Sequence, residues 1–125
     1  GMPINLKPAF WPTNPAPSSY AVIAAQNSGD GDVAGLIAGL TKACWADEKD
    51  ISQDDVIRAC LTDAGFDADL ADKGMLASAE EYAANLEDAV SKGAFGAPFF
   101  ITDGDERLWG EDRLQDLNAV LAGKI

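Results

Sequence analysis

The residues with the clearest potential for chemistry lie in the stretch Gly93–Leu114, which reads G-A-F-G-A-P-F-F-I-T-D-G-D-E-R-L-W-G-E-D-R-L. Its pattern predicts a strand, a tight turn, a return strand and the start of a helix, with the Ala97-Pro98 bond at the head of the first strand. Proline cannot donate to a strand ladder, and X-Pro is the one peptide bond whose cis form costs little. A cis Pro98 turns the backbone aside, so that its N–H and C=O groups can face a ligand. The pattern therefore predicts one part of a binding site.

The composition excludes several other kinds of chemistry. The chain of 125 residues contains no histidine, which excludes histidine triads, histidine general bases and histidine metal ligands. Its two cysteines, Cys44 and Cys60, form no C-x-x-C motif, so neither a thioredoxin-type redox pair nor a cysteine zinc site is predicted. We expect both to be buried, reduced thiols, with a reactive cysteine or a disulfide between them as the alternatives. We predict no metal site.

The charge of the chain limits the classes of partner that it can bind. A net charge of -12 and a pI near 4.1 argue against nucleic acid and anionic membranes as partners, because both require clustered Lys and Arg. No apolar run approaches the roughly 20 residues of a membrane span, and the N-terminus shows no secretory signal pattern. We expect a soluble protein of the reducing cytoplasm.

Capping and spacing signals predict five helices and one hairpin. The predicted helix starts are Asn14-Pro15, Asp30 or Asp32, Ser52, the capping box Ser78-Ala79-Glu80-Glu81, and Gly110-Glu111-Asp112; the predicted stops are Gly29, Gly65 and Gly93. The predicted strands are Phe99–Thr102 and Arg107–Trp109, joined by an Asp103-Gly104 turn. A lone two-stranded hairpin is marginally stable in water. The hairpin therefore indicates a sheet that lacks some of its strands.

Two motifs resemble a known family. G-A-F-G-A-P-F at residues 93–99, followed by L-W-G-E-D-R-L at 108–114, resembles the C-terminal end of the 2-hydroxychromene-2-carboxylate isomerases. That family has a DsbA-like thioredoxin fold and is related to the kappa-class glutathione transferases. F-W-P-T-N at residues 10–14 and W-A-D-E-K-D-I-S at 45–52 resemble the helical insertion of the same family.

The resemblance implies an α/β, mostly helical fold in two parts. Residues 1–92 would be a helical insertion domain with an extended N-terminal segment, and residues 93–125 the C-terminal ββα part of a thioredoxin-like fold. Full-length members begin with a βαβ unit that carries a catalytic Ser, and no segment before Met2 supplies it here. The expectation is an incomplete DsbA-like fold without a catalytic residue of its own.

The resemblance also implies half of a glutathione site. Ala97, beside a cis Pro98, would offer its backbone N–H and C=O to the cysteinyl part of glutathione. Glu111 and Asp112 at a helix N-terminus would hold the γ-glutamyl end, because free N–H groups attract its carboxylate and the Asp112 side chain accepts from its ammonium. Alternatively, Asp112 is an ordinary acidic helix start and Pro98 a plain edge-strand proline. The expected substrate pocket residues are Trp11, Asn14 and Trp109, although an N-cap role explains Asn14 equally well.

Two functions follow from this sequence. The first is a glutathione-dependent 2-hydroxychromene-2-carboxylate isomerase-like protein, with a small thiol peptide and an aromatic acid as ligands, that is inactive as this chain alone. The alternative is a non-catalytic helical binding or assembly module. In that case the chain would pair with a second copy, as a homodimer, or complete its sheet with another partner.

Overall fold

A computed structural model describes all 125 residues and divides them into two compact units, Gly1–Ala83 and Ala84–Ile125. The α-helices are α1 (Ala16–Ser28), α2 (Val33–Trp45), α3 (Asp54–Asp63), α4 (Met75–Ser91) and α5 (Leu114–Leu121). Two strands, β1 (Phe99–Ile101) and β2 (Arg107–Trp109), form the sheet, and short 3-10 turns occupy Ala68–Ala71 and Glu111–Arg113. The boundary between the units falls within α4, and no helix is both long and apolar enough to cross a membrane.

The core of the first unit lies where α1, α2 and α3 meet. Apolar residues three and four apart on α2 and α3 put Leu36, Leu40, Ile57 and Leu61 into this core, and Leu36 and Leu61 are fully buried. Burying a Leu or Ile side chain contributes about 1.5–3 kcal/mol. These contacts fix the helices on which the N-terminal segment lies.

Glycines and carboxylates end and begin these helices as their types predict. Gly29 closes α1 in the left-handed conformation at φ 73°, and Gly65 follows α3 at φ 84°. Asp32, the second of the two predicted caps, accepts from the N–H of Gly35 at 2.9 Å. The short acidic stretch after α3 forms one 3-10 turn. Arg58 Nη1 donates to the carbonyl oxygen of Ala68 in this turn at 3.1 Å.

Three predicted helix starts differ from the structure. The last helix, predicted to open at Gly110-Glu111-Asp112, begins with a 3-10 turn at Glu111–Arg113 and becomes α-helical at Leu114. Helix α4 begins at Met75 instead of Ser78, because Gly74 in the left-handed region (φ 76°) already marks the start and Met75–Ala77 favour helix. Ser78 is buried inside the helix. Ser52 does not cap α3, because α3 starts at Asp54 and Gln53 takes the N-cap position, where no side chain accepts a capping bond.

The hairpin of the second unit agrees with the prediction. Phe99 pairs with Trp109, Phe100 with Leu108, and Ile101 with Arg107 in an antiparallel register. Asp103 and Gly104 sit at the centre of the turn, and Asp105 after them takes a positive φ of 64°, as in hairpins whose turn is followed by a left-handed residue. Gly93 ends the preceding helix at φ 79°.

Candidate functional site

A loop at the head of β1 forms one wall of the candidate site. The Ala97-Pro98 peptide bond is cis, as predicted. Pro98 C=O accepts from the N–H of Gly110 at 3.0 Å, which ties this loop to the end of β2. The N–H and C=O of Ala97 take part in no hydrogen bond within the structure. Ala97 therefore presents a free donor and a free acceptor in one exposed residue.

Three aromatic rings hold this loop in place. Phe95 packs edge-on against Phe99 with ring centroids 5.1 Å apart, and against Trp109 at 5.2 Å. Gly96 lies directly beneath the indole: a Cβ there would meet Cε2 of Trp109 at 3.0 Å and Cδ1 at 3.1 Å. Glycine is needed at position 96 because the ring approaches the backbone so closely. Trp109 remains 55% exposed, so its ring also faces outward.

The turn into α5 supplies the other wall. Gly110 takes φ 107°, which places it in the region that favours glycine, and Glu111–Arg113 then form a 3-10 turn. Arg113 Nε donates to Asp116 Oδ2 at 2.7 Å. The carboxylates of Glu111 and Asp112 take part in no hydrogen bond or ion pair within the structure, and both residues are exposed. This wall therefore carries two uncompensated negative charges and one arginine that is already paired.

These two walls enclose a cavity of about 460 Å³, lined by Ala97, Trp109, Gly110, Glu111, Asp112 and Arg113. Four of the predicted site residues are thus brought together from two chain segments: Ala97, Trp109, Glu111 and Asp112. Pro98 is not in the lining and contributes through its bond to Gly110. Gly110 and Arg113 were not among the predicted site residues, although both stand inside the W-G-E-D-R motif.

The other two predicted pocket residues, Trp11 and Asn14, belong to the unit Gly1–Ala83. Trp11 packs on Trp45 with ring centroids 5.0 Å apart. Asn14 Oδ1 accepts from the N–H of Ala16 at 3.1 Å just before α1, whose N-cap residue is Pro15. The Trp11-Pro12 bond is a second cis peptide bond, which was not predicted.

Two acidic side chains hold the segment around Trp11. Ala9 N–H donates to Glu48 Oε2 at 2.8 Å, and the hydroxyl of Thr13 donates to Asp50 Oδ1 at 2.7 Å. The bond from Thr13, followed by the bonds from Ser52, lowers the pKa of Asp50 from 3.8 to about 2. Asp50 therefore stays ionised to a lower pH than an ordinary aspartate.

The two cysteines are free. Cys44 is buried, and burial together with the nearby carboxylates of Asp50 and Glu48 raises the pKa of its thiol. Cys60 is half-buried, and its pKa is raised by burial as well. Thiols in such surroundings are poor nucleophiles, because the thiolate is the reactive form.

The match to a family model covers nearly the whole chain. A model of the DSBA-like thioredoxin domain matches residues 1–122, so the chain belongs to this family. Its helices and antiparallel hairpin form a mostly helical α/β structure that corresponds to part of a DsbA-like thioredoxin fold.

Among individual proteins, the chain is similar to a 2-hydroxychromene-2-carboxylate isomerase from Sphingobium xenophagum. The two are 28% identical over 116 residues, which is 91% of this chain and 59% of the relative. This likeness confirms the resemblance inferred from the two motifs. The chain spans about 59% of the relative's length.

Proposed function

We propose that the cavity beside Ala97 binds the γ-glutamyl and cysteinyl parts of glutathione. We also propose that the protein catalyses an isomerisation, which is the reaction class given by the relative's name. The observation that supports this most is the convergence of Ala97 and Asp112 on one cavity from opposite ends of the hairpin. The free N–H and C=O of Ala97 match the peptide groups of a thiol peptide. The unpaired carboxylate of Asp112 matches its ammonium.

The proposed reaction is a cis–trans isomerisation of a ring-opened aromatic keto acid. The glutathione thiolate adds to the conjugated double bond, and the electron pair moves onto the carbonyl oxygen. The former double bond is then single and rotates, after which the electron pair returns and the thiolate leaves. The substrate and product have the same atoms, and glutathione is regenerated.

The described residues supply binding groups for this reaction but no group that activates the thiol. Lowering a thiol pKa requires a nearby positive charge or well-placed N–H donors. The cavity instead holds two free carboxylates and an arginine paired with Asp116. We propose that the 125-residue polypeptide alone binds glutathione and turns over 2-hydroxychromene-2-carboxylate very slowly.

Calorimetric titration of glutathione into the 125-residue polypeptide tests the binding. We expect Asp112→Asn to weaken binding by about tenfold, because a charged hydrogen bond contributes about 1.5–3 kcal/mol before exposure reduces it. The matched control is Asp103→Asn, an exposed carboxylate in the hairpin turn outside the cavity lining. Equal losses in both variants would show that only overall charge matters, and rapid turnover by the polypeptide would contradict the proposed division of roles.

A second candidate function is that of an assembly module, and one observation favours it. In residues 84–125 only Leu108 is buried, whereas Phe95, Ile101, Trp109 and Leu114 are exposed. Strand edges and apolar faces of this kind pair with other chains. Light scattering tests this alternative: a homodimer that Ile101→Lys dissociates supports it, and a folded monomer at high concentration contradicts it.

A further inference from the structure

The first unit carries a groove that shares no residue with the proposed glutathione site. Residues at the N-terminus lie along the last turns of α2 and enclose a cavity of about 430 Å³. Its principal lining residues are Met2, Ile4, Ala38, Thr41, Lys42 and Trp45. We call this the N-terminal groove.

Asn5 fixes the N-terminal segment on α2. Its backbone N–H donates to Trp45 O at 2.6 Å, and its side-chain Nδ2 donates to Ala46 O at 3.3 Å. These bonds satisfy carbonyl groups at the C-terminal end of α2, which have no partner inside the helix. The groove is therefore a built feature with a tethered wall.

The hydroxyl and ammonium side chains of the groove are already paired. The hydroxyl of Thr41 donates to Ile37 O at 2.9 Å, and Lys42 Nζ bonds both carboxylate oxygens of Asp47, at 2.6 and 2.8 Å. A ligand placed here meets mainly apolar side chains. A polar group that it buried against this wall would lose its hydrogen bonds to water, which costs about 1–3 kcal/mol.

Charge and size narrow the occupant further. Asp47 and Glu48 follow the groove in a chain of net charge -12, which disfavours anions. An apolar cavity of about 150 Å³ holds a single benzene ring, so about 430 Å³ has room for two fused rings. Met2 and Ile4 are 88% and 60% exposed, and both can fold over a ligand.

We propose that the N-terminal groove binds neutral two-ring aromatic molecules, which pack against Trp45 and are covered by Met2 and Ile4. The groove disfavours anionic rings, because Lys42 is paired with Asp47 and no other cation is among the lining residues. This preference is opposite to that of a site for aromatic acids.

The test is a titration of the full chain with 2-naphthol as the probe, with 2-naphthoate as its anionic counterpart. Two-dimensional NMR of the Met2 and Ile4 methyl groups and of the Trp45 indole reports binding. We expect saturable shifts with 2-naphthol and at least tenfold weaker binding of 2-naphthoate. Equal affinity for the two, or shifts that never saturate, would overturn the proposal.

Two variants place the ligand in the groove. Ala38→Phe fills the cavity and is expected to abolish binding, whereas Ala34→Phe, exposed one turn earlier on α2 and outside the lining, leaves binding unchanged. Met2→Ala is expected to weaken binding at least threefold without affecting the fold, since Met2 is almost fully exposed. Unchanged binding in both Ala38→Phe and Met2→Ala refutes the site. A dimer that Ala38→Phe dissociates would show that a second copy occupies the groove instead, and this also overturns the proposal.

Discussion

Replacing Gly96 by alanine tests the architecture of the candidate glutathione site. The added Cβ would lie within 3.1 Å of three indole atoms of Trp109, so the ring must move. Overpacking of this kind costs about 1–3 kcal/mol. Because Trp109 is 55% exposed, the ring has room to swing into solvent, and we expect the free energy of unfolding to fall by about 1 kcal/mol, at the low end of that range.

The effect on ligand binding should exceed the effect on stability. A displaced ring forfeits its edge contact with Phe95, centred 5.2 Å away, and such contacts contribute about 0.5–1.5 kcal/mol. It also removes one wall of the cavity beside Ala97. We expect glutathione to bind about tenfold more weakly, which corresponds to about 1.4 kcal/mol.

Gly39→Ala is the matched control. Gly39 lies inside α2, where a Cβ would meet only Cys60 at an ordinary 3.9 Å. Alanine there should stabilise the protein by about 0.5–1 kcal/mol and leave glutathione binding unchanged. Calorimetry measures the affinity for glutathione, and denaturant unfolding measures the free energy of unfolding. The indole N–H resonance of Trp109 reports a change in the position of its ring. An unmoved Trp109 resonance in Gly96→Ala would refute the packing argument, and a moved resonance with unchanged affinity would show that Trp109 does not contact the ligand.

Three further predictions concern carboxylates. Glu111→Gln should strengthen glutathione binding about threefold at low salt, because it removes a negative charge near the ligand carboxylate. Glu111→Asp keeps the charge and should not strengthen binding. If the difference in affinity between the two variants disappears in high salt, this supports the electrostatic cause. The pKa of Asp50 falls from 3.8 to about 2 on folding, so its bonds stabilise the protein above about pH 4, and this stabilisation is lost as the pH falls through 2. Asp50→Asn should flatten the dependence of unfolding free energy on pH between 4 and 2, and parallel curves would contradict that assignment. Asp32→Ala should cost about 1 kcal/mol of unfolding free energy through loss of the cap on Gly35, whereas Asp30→Ala, which accepts no cap bond, should cost less than about 0.5 kcal/mol; equal costs would argue against capping.

Features set by local chemistry were predictable from the sequence. The strands Phe99–Ile101 and Arg107–Trp109 and the stops at Gly29, Gly65 and Gly93 follow from a few adjacent residues, whereas the cis form of Ala97-Pro98 was implied by the family resemblance. The predicted helix starts at Ser52 and Ser78 also rested on a few adjacent residues, but they were wrong. Gln53 takes the N-cap position of α3 in the first case, and in the second α4 already begins at Met75, after Gly74.

Features that depend on distant contacts were not predictable. The packing of Trp11 on Trp45 joins residues 34 positions apart, and the bond between Thr13 and Asp50 joins residues 37 apart. At the candidate site, Arg113 joins the lining only because the turn after Gly110 swings it beside Ala97. The residue types of a motif can be read from the sequence, whereas the cavity that these residues line depends on the fold.

The proposed glutathione site lies on a unit with very little core of its own. Phe99, Ile101 and Trp109 share one face of the hairpin, since paired residues point to the same side, whereas Leu108 faces the other side and is 7% exposed. The cavity is held by the packing of Phe95 against Phe99 and Trp109 and by single bonds, such as Pro98 O to Gly110 N–H. A ligand that bridges Ala97 and Asp112 connects the two walls directly, so its binding energy stabilises the folded unit. At a concentration of one hundred times Kd this linkage amounts to about 2.7 kcal/mol, which is large for a unit that buries one apolar side chain. We therefore expect glutathione binding and the order of the hairpin to be coupled.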